Sequence, residues 1–313
     1  MTRGLWLSGL VVFSFAGSVL LGLGVGSTPL SIWAMSETDQ VILLHLRLPR
    51  VLSAFLVGGG LALAGAIFQG LFRNPIADSY LLGISSGASL GAAIAIVFRL
   101  ASPLADFAAV SFFAFVGSLL ALSLVFYFGQ RKGAYSIFRL LLAGLGIGLF
   151  LSSLVAILML MAGEELKALI FFFLGGFSSS SWDTAWIALA CIPLAVAVAC
   201  YFATELNVLL LGDETAASSG VRTRRVQLIF AVLAALLTSI SVSVAGLIGF
   251  VGLIVPHMIR MISGADHRTL FPLTFFLGGI FLVLCDAVAR TAMAPAELPV
   301  GIVTSLFGVP IFL

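Results

Sequence analysis

The sequence predicts an all-α protein that crosses a membrane about ten times, each time with a helix near the ~20 residues that a hydrocarbon core requires. Of its 313 residues, 61% are hydrophobic and 9% are charged, whereas soluble domains carry about 25% charged residues. The mean hydropathy is +1.24, and long charge-free runs separate the few charged residues. This composition excludes a soluble globular enzyme. It also excludes a disordered chain, because disordered sequences are poor in apolar residues.

Charge-free runs define the predicted transmembrane helices, because an ionised side chain at the bilayer centre costs about 3 kcal/mol on insertion scales. The runs occupy residues 4–36, 51–72, 79–98, 107–130, 140–163, 184–204, 226–259, 269–285 and 298–313. The run 226–259 is too long for one helix, and Gly246, Gly249 and Gly252 predict a break followed by a short second helix. Residues 1–313 are therefore predicted to form one transmembrane domain that leaves no room for a soluble catalytic domain.

The distribution of Lys and Arg predicts that both termini are cytoplasmic, since short cytoplasmic loops are enriched in these residues. In that orientation ten basic residues lie on the cytoplasmic side: Arg3, Arg73, Arg131, Lys132, Arg139, Arg222, Arg224, Arg225, Arg260 and Arg268. Five lie on the outer side: Arg47, Arg50, Arg99, Lys167 and Arg290. A cleaved signal peptide is the alternative interpretation of the first run, but that run is longer than a typical apolar signal region and lacks an A-x-A cleavage pattern.

Small residues recur at about every fourth position of three predicted helices: Gly58, Ala62, Ala66 and Gly70; Gly83, Gly87 and Gly91; Gly144 and Gly148. Lipid provides no hydrophobic force between helices, so helices associate through the close contacts that small side chains allow. We interpret these stripes as packing surfaces and assign them no chemistry. Asp286 and Arg290 have the i, i+4 spacing of an ion pair on one helix face, which fits a structural role at least as well as a proton relay.

Motifs for metal-dependent catalysis and for ATP binding are missing from the sequence. It contains neither HExxH nor the P-loop motif GxxxxGK[ST], so any dependence on ATP must come from a partner. Cys191, Cys200 and Cys285 lack metal-ligand spacing, and we interpret them as small packing residues. The basic residues are scattered rather than clustered, which argues against nucleic acid as a partner. We therefore predict no catalytic residue, no metal site and no cofactor bound by this chain.

A polar connection at residues 205–225, ELNVLLLGDETAASSGVRTRR, interrupts the spans on the predicted cytoplasmic side. Asp213 is a suitable N-cap, and Gly220 can end a helix in the left-handed conformation, which predicts a short surface helix between them. The intervening residues are small and basic residues follow, a combination that suits a groove of another protein. A solvated loop that only carries inside-positive charge remains the alternative.

Six stretches of the chain, in order, resemble one protein family. They are LRLPRVLSAFLVGGGLALAGAIFQGLFRNPIADSYLLGISSGAS (46–89), RLLLAGLGIG (139–148), FLGGFSSSSW (173–182), LNVLLLGDETAASSGV (206–221), VAGLIGFVGLIVPHMIRMISGADHR (244–268) and CDAVARTAMAPAELPVGIVTSLFGVPIFL (285–313). The sequence thereby resembles the FecCD-type permeases, which are membrane subunits of binding-protein-dependent ABC importers. Members of that family carry iron-siderophores, haem, cobalamin and, in some cases, oxyanions. The resemblance covers essentially the whole chain.

The resemblance implies a ten-helix subunit that pairs with a second copy of itself, or with a homologous permease, around a central path through membrane lipid. Two ATP-binding subunits, which hold ATP and magnesium, are implied on the cytoplasmic side. A periplasmic or lipid-anchored substrate-binding protein is implied on the outer side. The implied location is the bacterial cytoplasmic membrane, and the implied cargo is a metal chelate, with iron-siderophore favoured as the commonest case.

The resemblance also implies roles for residues at the matching positions. Docking of the binding protein is implied for three outer arginines: Arg47, Arg50 and Arg290. A cytoplasmic gate is implied for two residues of the RNPIA motif: Asn74 and Ile76. Contact with the ATP-binding subunit is implied for the DHR turn: Asp266, His267 and Arg268. Coupling to the same subunit is implied for the short helix and its ends: Gly212, Asp213, Glu214, Thr215, Ala216, Ala217, Ser218, Ser219 and Gly220.

Two other classes of function remain as alternatives. A secondary carrier or channel would work without ATP, and such carriers usually place ionisable groups deep in the membrane. A scaffold or receptor subunit would bind partners without moving a substrate. The expected function is ATP-driven import by alternating access, in which partner subunits move residues 213–219 and the inner constriction near Asn74 responds.

Overall fold

The computed structural model describes residues 2–26, 36–78, 82–100, 106–129 and 137–312. Parts of the predicted spans 4–36, 79–98, 107–130 and 298–313 lie outside these described residues, as do Arg131 and Lys132 of the positive-inside count. For Asp213 only the backbone is described.

The described residues form α-helices joined by short turns, and they contain no strand. The first seven helices are α1 (Thr2–Gly24), α2 (Glu37–Val41), α3 (Leu48–Phe72), α4 (Ile84–Val97), α5 (Asp106–Gly129), α6 (Ile137–Met161) and α7 (Leu166–Leu174). The others are α8 (Trp182–Tyr201), α9 (Ala203–Leu210), α10 (Asp213–Ser218), α11 (Thr223–Ala245), α12 (Val251–Ser263), α13 (His267–Thr291) and α14 (Val300–Phe312). A π-helical stretch, Ile42–Arg47, joins α2 to α3, and a 3₁₀ turn, Gly163–Glu165, precedes α7. The predicted all-α class is confirmed.

By length and composition, six helical stretches in the described residues can cross a membrane: Glu37–Phe72, Ala109–Gly129, Arg139–Met161, Trp182–Tyr201, Thr223–Ala245 and His267–Thr291. Four shorter apolar helices accompany them: Phe13–Gly24, Ile84–Val97, Val251–Ser263 and Val300–Pro310. A multi-pass membrane protein is therefore confirmed, whereas the number of spans and the side on which the termini lie stay predictions.

The predicted break in the run 226–259 is confirmed. Helix α11 ends at Ala245, and α12 begins at Val251 and is only 13 residues long. Gly246 adopts a φ of +69° immediately after α11. Glycine tolerates this left-handed region because it has no Cβ, so the chain can turn there.

Helix α3 is the central helix of the bundle and packs against α8, α11, α12 and α13. Of the most apolar stretch of Glu37–Phe72, 94% is buried inside the protein, compared with 22% for Arg139–Met161, which contains most of α6. A helix that is covered on all sides needs apolar or small residues on every face. The sequence SAFLVGGGLALAGAIF at 53–68 provides them.

The small-residue stripes lie at helix contacts, which confirms their interpretation as packing surfaces. Gly58 on α3 faces the backbone of Gly278 on α13, where an added Cβ would lie 2.6 Å from the Cβ of Leu282. At the far end of α3, a Cβ on Gly70 would lie 2.8 Å from Nε2 of His267. Since the start of α3 meets the end of α13 and its end meets the start of α13, the two helices run antiparallel in direct backbone contact.

We predict that Gly58→Leu strongly destabilises the protein. The added side chain has no space between α3 and α13, and overpacking of this kind typically costs about 1–3 kcal/mol or more. The matched control is Gly17→Leu on α1, where an added Cβ would have no heavy atom within 4 Å. Thermal unfolding of the detergent-purified variants measures the difference, and equal midpoints for Gly58→Leu and wild type would contradict the packing account.

Candidate functional site

The polar residues that the sequence singles out gather at the two ends of the α3 and α13 pair. One end holds an arginine cluster, which consists of Arg47, Arg50, Asp286, Arg290 and Glu297. The other end holds the turn that follows α3, the helices α9 and α10, and the DHR turn that starts α13. Because the two helices are antiparallel and each has 25 residues, these ends lie on opposite sides of the bundle.

Arg50 and Asp286 form the centre of the arginine cluster. Nη2 of Arg50 lies 2.9 Å from Oδ1 of Asp286, and Nη1 of Arg50 lies 3.0 Å from Oε2 of Glu297. Asp286 also pairs with Arg290 across one helical turn, with 3.0 Å between Nε and Oδ2. The predicted i, i+4 ion pair is confirmed, and Asp286 stabilises two guanidinium groups while only 1% exposed.

Arg47 and Arg290 bind the carbonyl groups at the end of α1. Nη1 of Arg47 donates to the carbonyls of Leu23 at 2.7 Å and Gly24 at 3.1 Å. Nη2 of Arg290 donates to the carbonyl of Gly22 at 3.0 Å. The last carbonyls of a helix lack intrahelical donors and carry partial negative charge, so they stabilise buried cations. Both arginines are nearly inaccessible, at 5% and 3% exposed.

The three arginines expected to dock a binding protein thus have their main hydrogen bonds within the chain. Arg50 retains an accessible portion, with 11% of its side chain exposed, and its partner Glu297 retains 32%. Sequence reasoning did not predict the bond from Arg50 to Glu297 or the bonds to the α1 carbonyls. A signal was available for Glu297, because unpaired charges are costly in an apolar chain and few acidic residues can pair with these arginines. The docking role itself stays a prediction.

The expected short helix is present as α10, Asp213–Ser218, but its N-cap is Gly212 and not Asp213. The chain turns into α10 at a Gly212 φ of +118°, a conformation that glycine adopts far more readily than aspartate. Asp213 is therefore the first helical residue. The predicted end is confirmed: Gly220 has a φ of +82°, and the amide of Val221 donates to the carbonyl of Ala216 at 3.0 Å.

One residue of α10 is buried and its other described side chains are exposed. Ala216 is 0% exposed and belongs to the main apolar core. The exposed residues of α10 and its end are Glu214, Thr215, Ala217, Ser218, Ser219 and Gly220. All of them except Glu214 are small, so α10 presents a thin face that a partner can approach closely.

The turn after α3 contains the predicted gate residues and is bonded to α9. Arg73 ends α3 in the left-handed conformation, and its Nη2 donates to the carbonyl of Leu209 at 2.7 Å. Oδ1 of Asn74 accepts from the amide of Ile76 at 3.0 Å, a local turn typical of asparagine. Asn74 and Ile76 are both exposed, so the gate turn, residues 73–77, presents them at the end of the bundle.

The DHR turn forms the N-terminal cap of α13. The Asp266 carboxylate accepts from the amide of Arg268 at 3.0 Å and from its guanidinium at 2.6 Å. These bonds hold the pKa of the Asp266 carboxyl well below its usual range. Nδ2 of Asn207 on α9 donates to Oδ1 of Asp266 at 2.7 Å. Sequence reasoning missed Asn207, although a lone amide within an apolar helix is a signal for a buried hydrogen bond.

Two cavities flank α7. The first, of about 580 Å³, lies beside Arg50 and Glu297 and is walled mainly by apolar groups, including Phe171, Phe172 and Phe177. The second, of about 690 Å³, borders α14 and is lined by apolar residues apart from Ser305. Spaces of this size and polarity are typical of sites for bulky, partly apolar small molecules.

Comparison with known proteins adds three relatives. The chain is 42% identical over 305 residues to the hemin transport system permease protein HmuU of Yersinia pestis, covering 94% of this chain and 91% of that protein. It is 40% identical over 282 residues to the cobalamin import system permease protein BtuC of Halobacterium salinarum, covering 90% and 74%. Its structure matches an inward-facing metal-chelate type ABC transporter with a TM-score of 0.89 and 31% identity over 96% of both chains.

The apolar helices and this match define the class of the protein as a multi-pass permease of an ABC transporter. A family model described as the FecCD transport family matches residues 10–313. The chain therefore belongs to the FecCD transport family, and the expected resemblance is confirmed. Its relatives are transport subunits, which supports a transporter rather than an enzyme.

We predict that Asp286→Asn destabilises the protein more than the loss of an exposed ion pair does. The substitution leaves Arg290 buried without a carboxylate, and breaking a buried pair costs about 3–5 kcal/mol. Glu165→Gln is the control, because Glu165 pairs with Arg99 at 2.9 Å where the Arg99 side chain is 68% exposed, and such pairs contribute under about 1 kcal/mol. Unfolding midpoints in detergent measure both, and similar losses for the two variants would contradict the assigned role.

Proposed function

We propose that this chain is the permease subunit of a binding-protein-dependent ABC importer that moves a metal chelate into the bacterial cytoplasm. ATP is hydrolysed by two separate ATP-binding subunits, and this chain makes or breaks no covalent bond of the cargo. The observation that carries the proposal is the hydrogen bond from Arg73 to the carbonyl of Leu209, which ties the gate turn to α9, the helix that directly precedes α10. That connection belongs to a chain of the FecCD transport family, so its exposed helix is expected to meet the ATP-binding subunit.

In the proposed mechanism α10 is the contact with the ATP-binding subunit. Its exposed small residues lie in a cleft of that subunit, and Asp266, His267 and Arg268 add a second contact nearby. Ala216 anchors α10 in the apolar core of the permease, so a force on α10 is passed to the bundle. The coupling segment, residues 205–225, is thus part of the single permease domain 1–313 and not a separate domain.

The proposed route from α10 to the gate passes through α9. The bond from Arg73 to the carbonyl of Leu209 ties α9 to the residue that immediately precedes Asn74. Closure of the ATP-binding subunits displaces α10 and α9, and Arg73 moves the gate turn with them. The driving energy is the difference in ATP affinity between two conformations of the assembly, because a ligand shifts an equilibrium only by its differential affinity.

Docking of a periplasmic or lipid-anchored binding protein is proposed at the end of the bundle that holds the arginine cluster. Arg50 and Glu297 provide its accessible charges, and Arg47 and Arg290 hold the shape of that surface by binding α1. Charges at such a surface orient the partner and raise its association rate more than its affinity. A second copy of the permease, or a homologous one, completes the path through the membrane.

The proposed cargo is a bulky metal chelate with apolar parts. Both cavities beside α7 have mainly apolar walls, and the first also exposes charged groups of Arg50, Arg99, Glu165 and Glu297 to its contents. The relatives named above transport hemin and cobalamin, and iron-siderophore remains the expectation from the family as a whole. The ligand that the cognate binding protein retains on purification distinguishes among these cargoes.

Reconstitution tests the function directly. We predict that proteoliposomes take up cargo only when they contain the permease, both ATP-binding subunits, the loaded binding protein and ATP. Liposomes that contain the permease alone, with a proton or sodium gradient imposed, are predicted to show no uptake. Gradient-driven uptake by the permease alone would identify a secondary carrier and contradict the proposal.

We also predict that Ala217→Trp lowers transport by weakening assembly with the ATP-binding subunits while leaving the permease folded. Ala217 is exposed on α10, so the indole does not disturb the core, but it prevents close approach of the partner. A steric penalty of about 1.4 kcal/mol or more reduces complex formation at least about tenfold. Ala217→Ser is the matched control, because serine stays small. Wild-type transport by Ala217→Trp would show that α10 does not enter a cleft.

A further inference from the structure

Asn207 is the polar residue that joins α9 to the start of α13. Its Nδ2 donates to Oδ1 of Asp266 at 2.7 Å, and its Oδ1 accepts from the backbone amide of His267 at 3.0 Å. The same Oδ1 lies 2.7 Å from Nδ1 of His267. An amide oxygen only accepts hydrogen bonds, so Nδ1 of His267 carries the hydrogen. We call Asn207, Asp266 and His267 the Asn207 joint.

The imidazole of His267 fixes this joint against α3. The residue is 1% exposed, its ring centroid lies 5.0 Å from that of Phe271, and the glycine at position 70 leaves the space that its Nε2 occupies. A larger residue than glycine at position 70 would push the ring out of place. The ring is thus packed between Gly70 of α3 and Phe271 of α13.

The apolar contacts of α9 differ in kind from the Asn207 joint, whereas its hydrogen bond with Arg73 is directional in the same way. Leu206 and Leu209 bury apolar side chains in the core, and such contacts are non-directional and tolerate sliding. Arg73 ties α9 to the end of α3 through the carbonyl of Leu209. Asn207 is the corresponding directional tie to α13, so α9 cannot shift along its axis without breaking hydrogen bonds to the α13 cap.

Helix α13 extends from this joint to the arginine cluster. It is one helix of 25 residues from His267 to Thr291, which corresponds to a length of about 37 Å. Near its far end Asp286 binds Arg50, and Arg290 binds the end of α1. If the start of α13 is displaced, the helix that carries Asp286, the central carboxylate of the arginine cluster, is displaced with it.

We propose that Asn207 is a positioning residue of the transport cycle: it locks α9 to α13, so that α13 carries motion between the coupling segment and the arginine cluster. In one direction, ATP-driven motion of α10 reaches the surface where the binding protein docks. In the other direction, the motion that docking of the binding protein causes at the arginine cluster reaches α10 and stimulates ATP hydrolysis. This inference rests on the proposed function, because it needs both partners.

The test measures how strongly the loaded binding protein stimulates ATPase activity in the reconstituted transporter, together with the cargo moved per ATP. Asn207→Ala removes all three hydrogen bonds of the side chain, and Asn207→Asp places a second carboxylate against Asp266. For both variants we expect stimulation to fall at least about fivefold, the lower end of typical allosteric coupling, with basal ATPase activity and subunit assembly retained. Thr204→Ala is the matched control, because Thr204 is exposed on the same helix and is expected to behave as wild type.

A charge swap separates positioning from simple stability. In Asn207→Asp combined with Asp266→Asn, an amide again faces a carboxylate and the net charge of the pair is unchanged. Asp266→Asn alone is measured beside it, because Asp266 also pairs with Arg268 at the proposed contact with the ATP-binding subunit. We expect the double variant to lose less stimulation than the two single variants together predict, and a loss equal to their sum would overturn the role of this hydrogen bond.

The outcomes also distinguish this inference from the proposed function. Wild-type stimulation by Asn207→Ala and Asn207→Asp, in a transporter that imports cargo with ATP, would overturn the inference alone. Absence of ATP-dependent import by both wild type and Thr204→Ala would overturn the proposed function and the inference with it. If Asn207→Asp does not assemble, Asn207→Ala decides the question because it introduces no charge.

Discussion

Backbone contact between α3 and α13 is the constraint on which the rest of the structure depends. Lipid gives helices no hydrophobic reason to associate, so the pair is stabilised by the dispersion contacts that small residues permit. Gly58 and Gly278 bring the two backbones together, and Gly70 admits the imidazole of His267 at the far end. This antiparallel pair fixes the separation and the mutual orientation of the arginine cluster and the gate turn.

The few charges of the chain show how an apolar protein accommodates ions. Asp286 lies between Arg50 and Arg290, and the remaining positive charge is directed at the carbonyl end of α1. Each guanidinium thereby gains partners that compensate for the loss of water. The same cluster consequently holds the first, third and thirteenth helices together, which makes the proposed docking surface rigid.

Local patterns predicted from the sequence were mostly confirmed, whereas contacts between distant residues were not foreseen. The all-α class, the break at Gly246, the short helix that Gly220 ends and the pair Asp286–Arg290 each depend on neighbouring residues. The bond between Arg50 and Glu297 joins residues 247 positions apart, and the bond from Asn207 to Asp266 appears only once α9 packs against α13. The N-cap of α10 was assigned wrongly because a side-chain preference was weighed without the turn that Gly212 makes.

The most direct test of the central claim follows the gate turn and α10 together during the ATP cycle. Spin labels at Ile76, or separately at Leu211, which is 71% exposed between α9 and α10, report the distance between the two permease copies of the assembled transporter by pulsed electron paramagnetic resonance. The account predicts that ATP changes both distances, and that Arg73→Ala abolishes the change at Ile76 while preserving that at Leu211. An Ile76 distance that does not change with ATP, or one that changes equally in wild type and Arg73→Ala, would contradict the account.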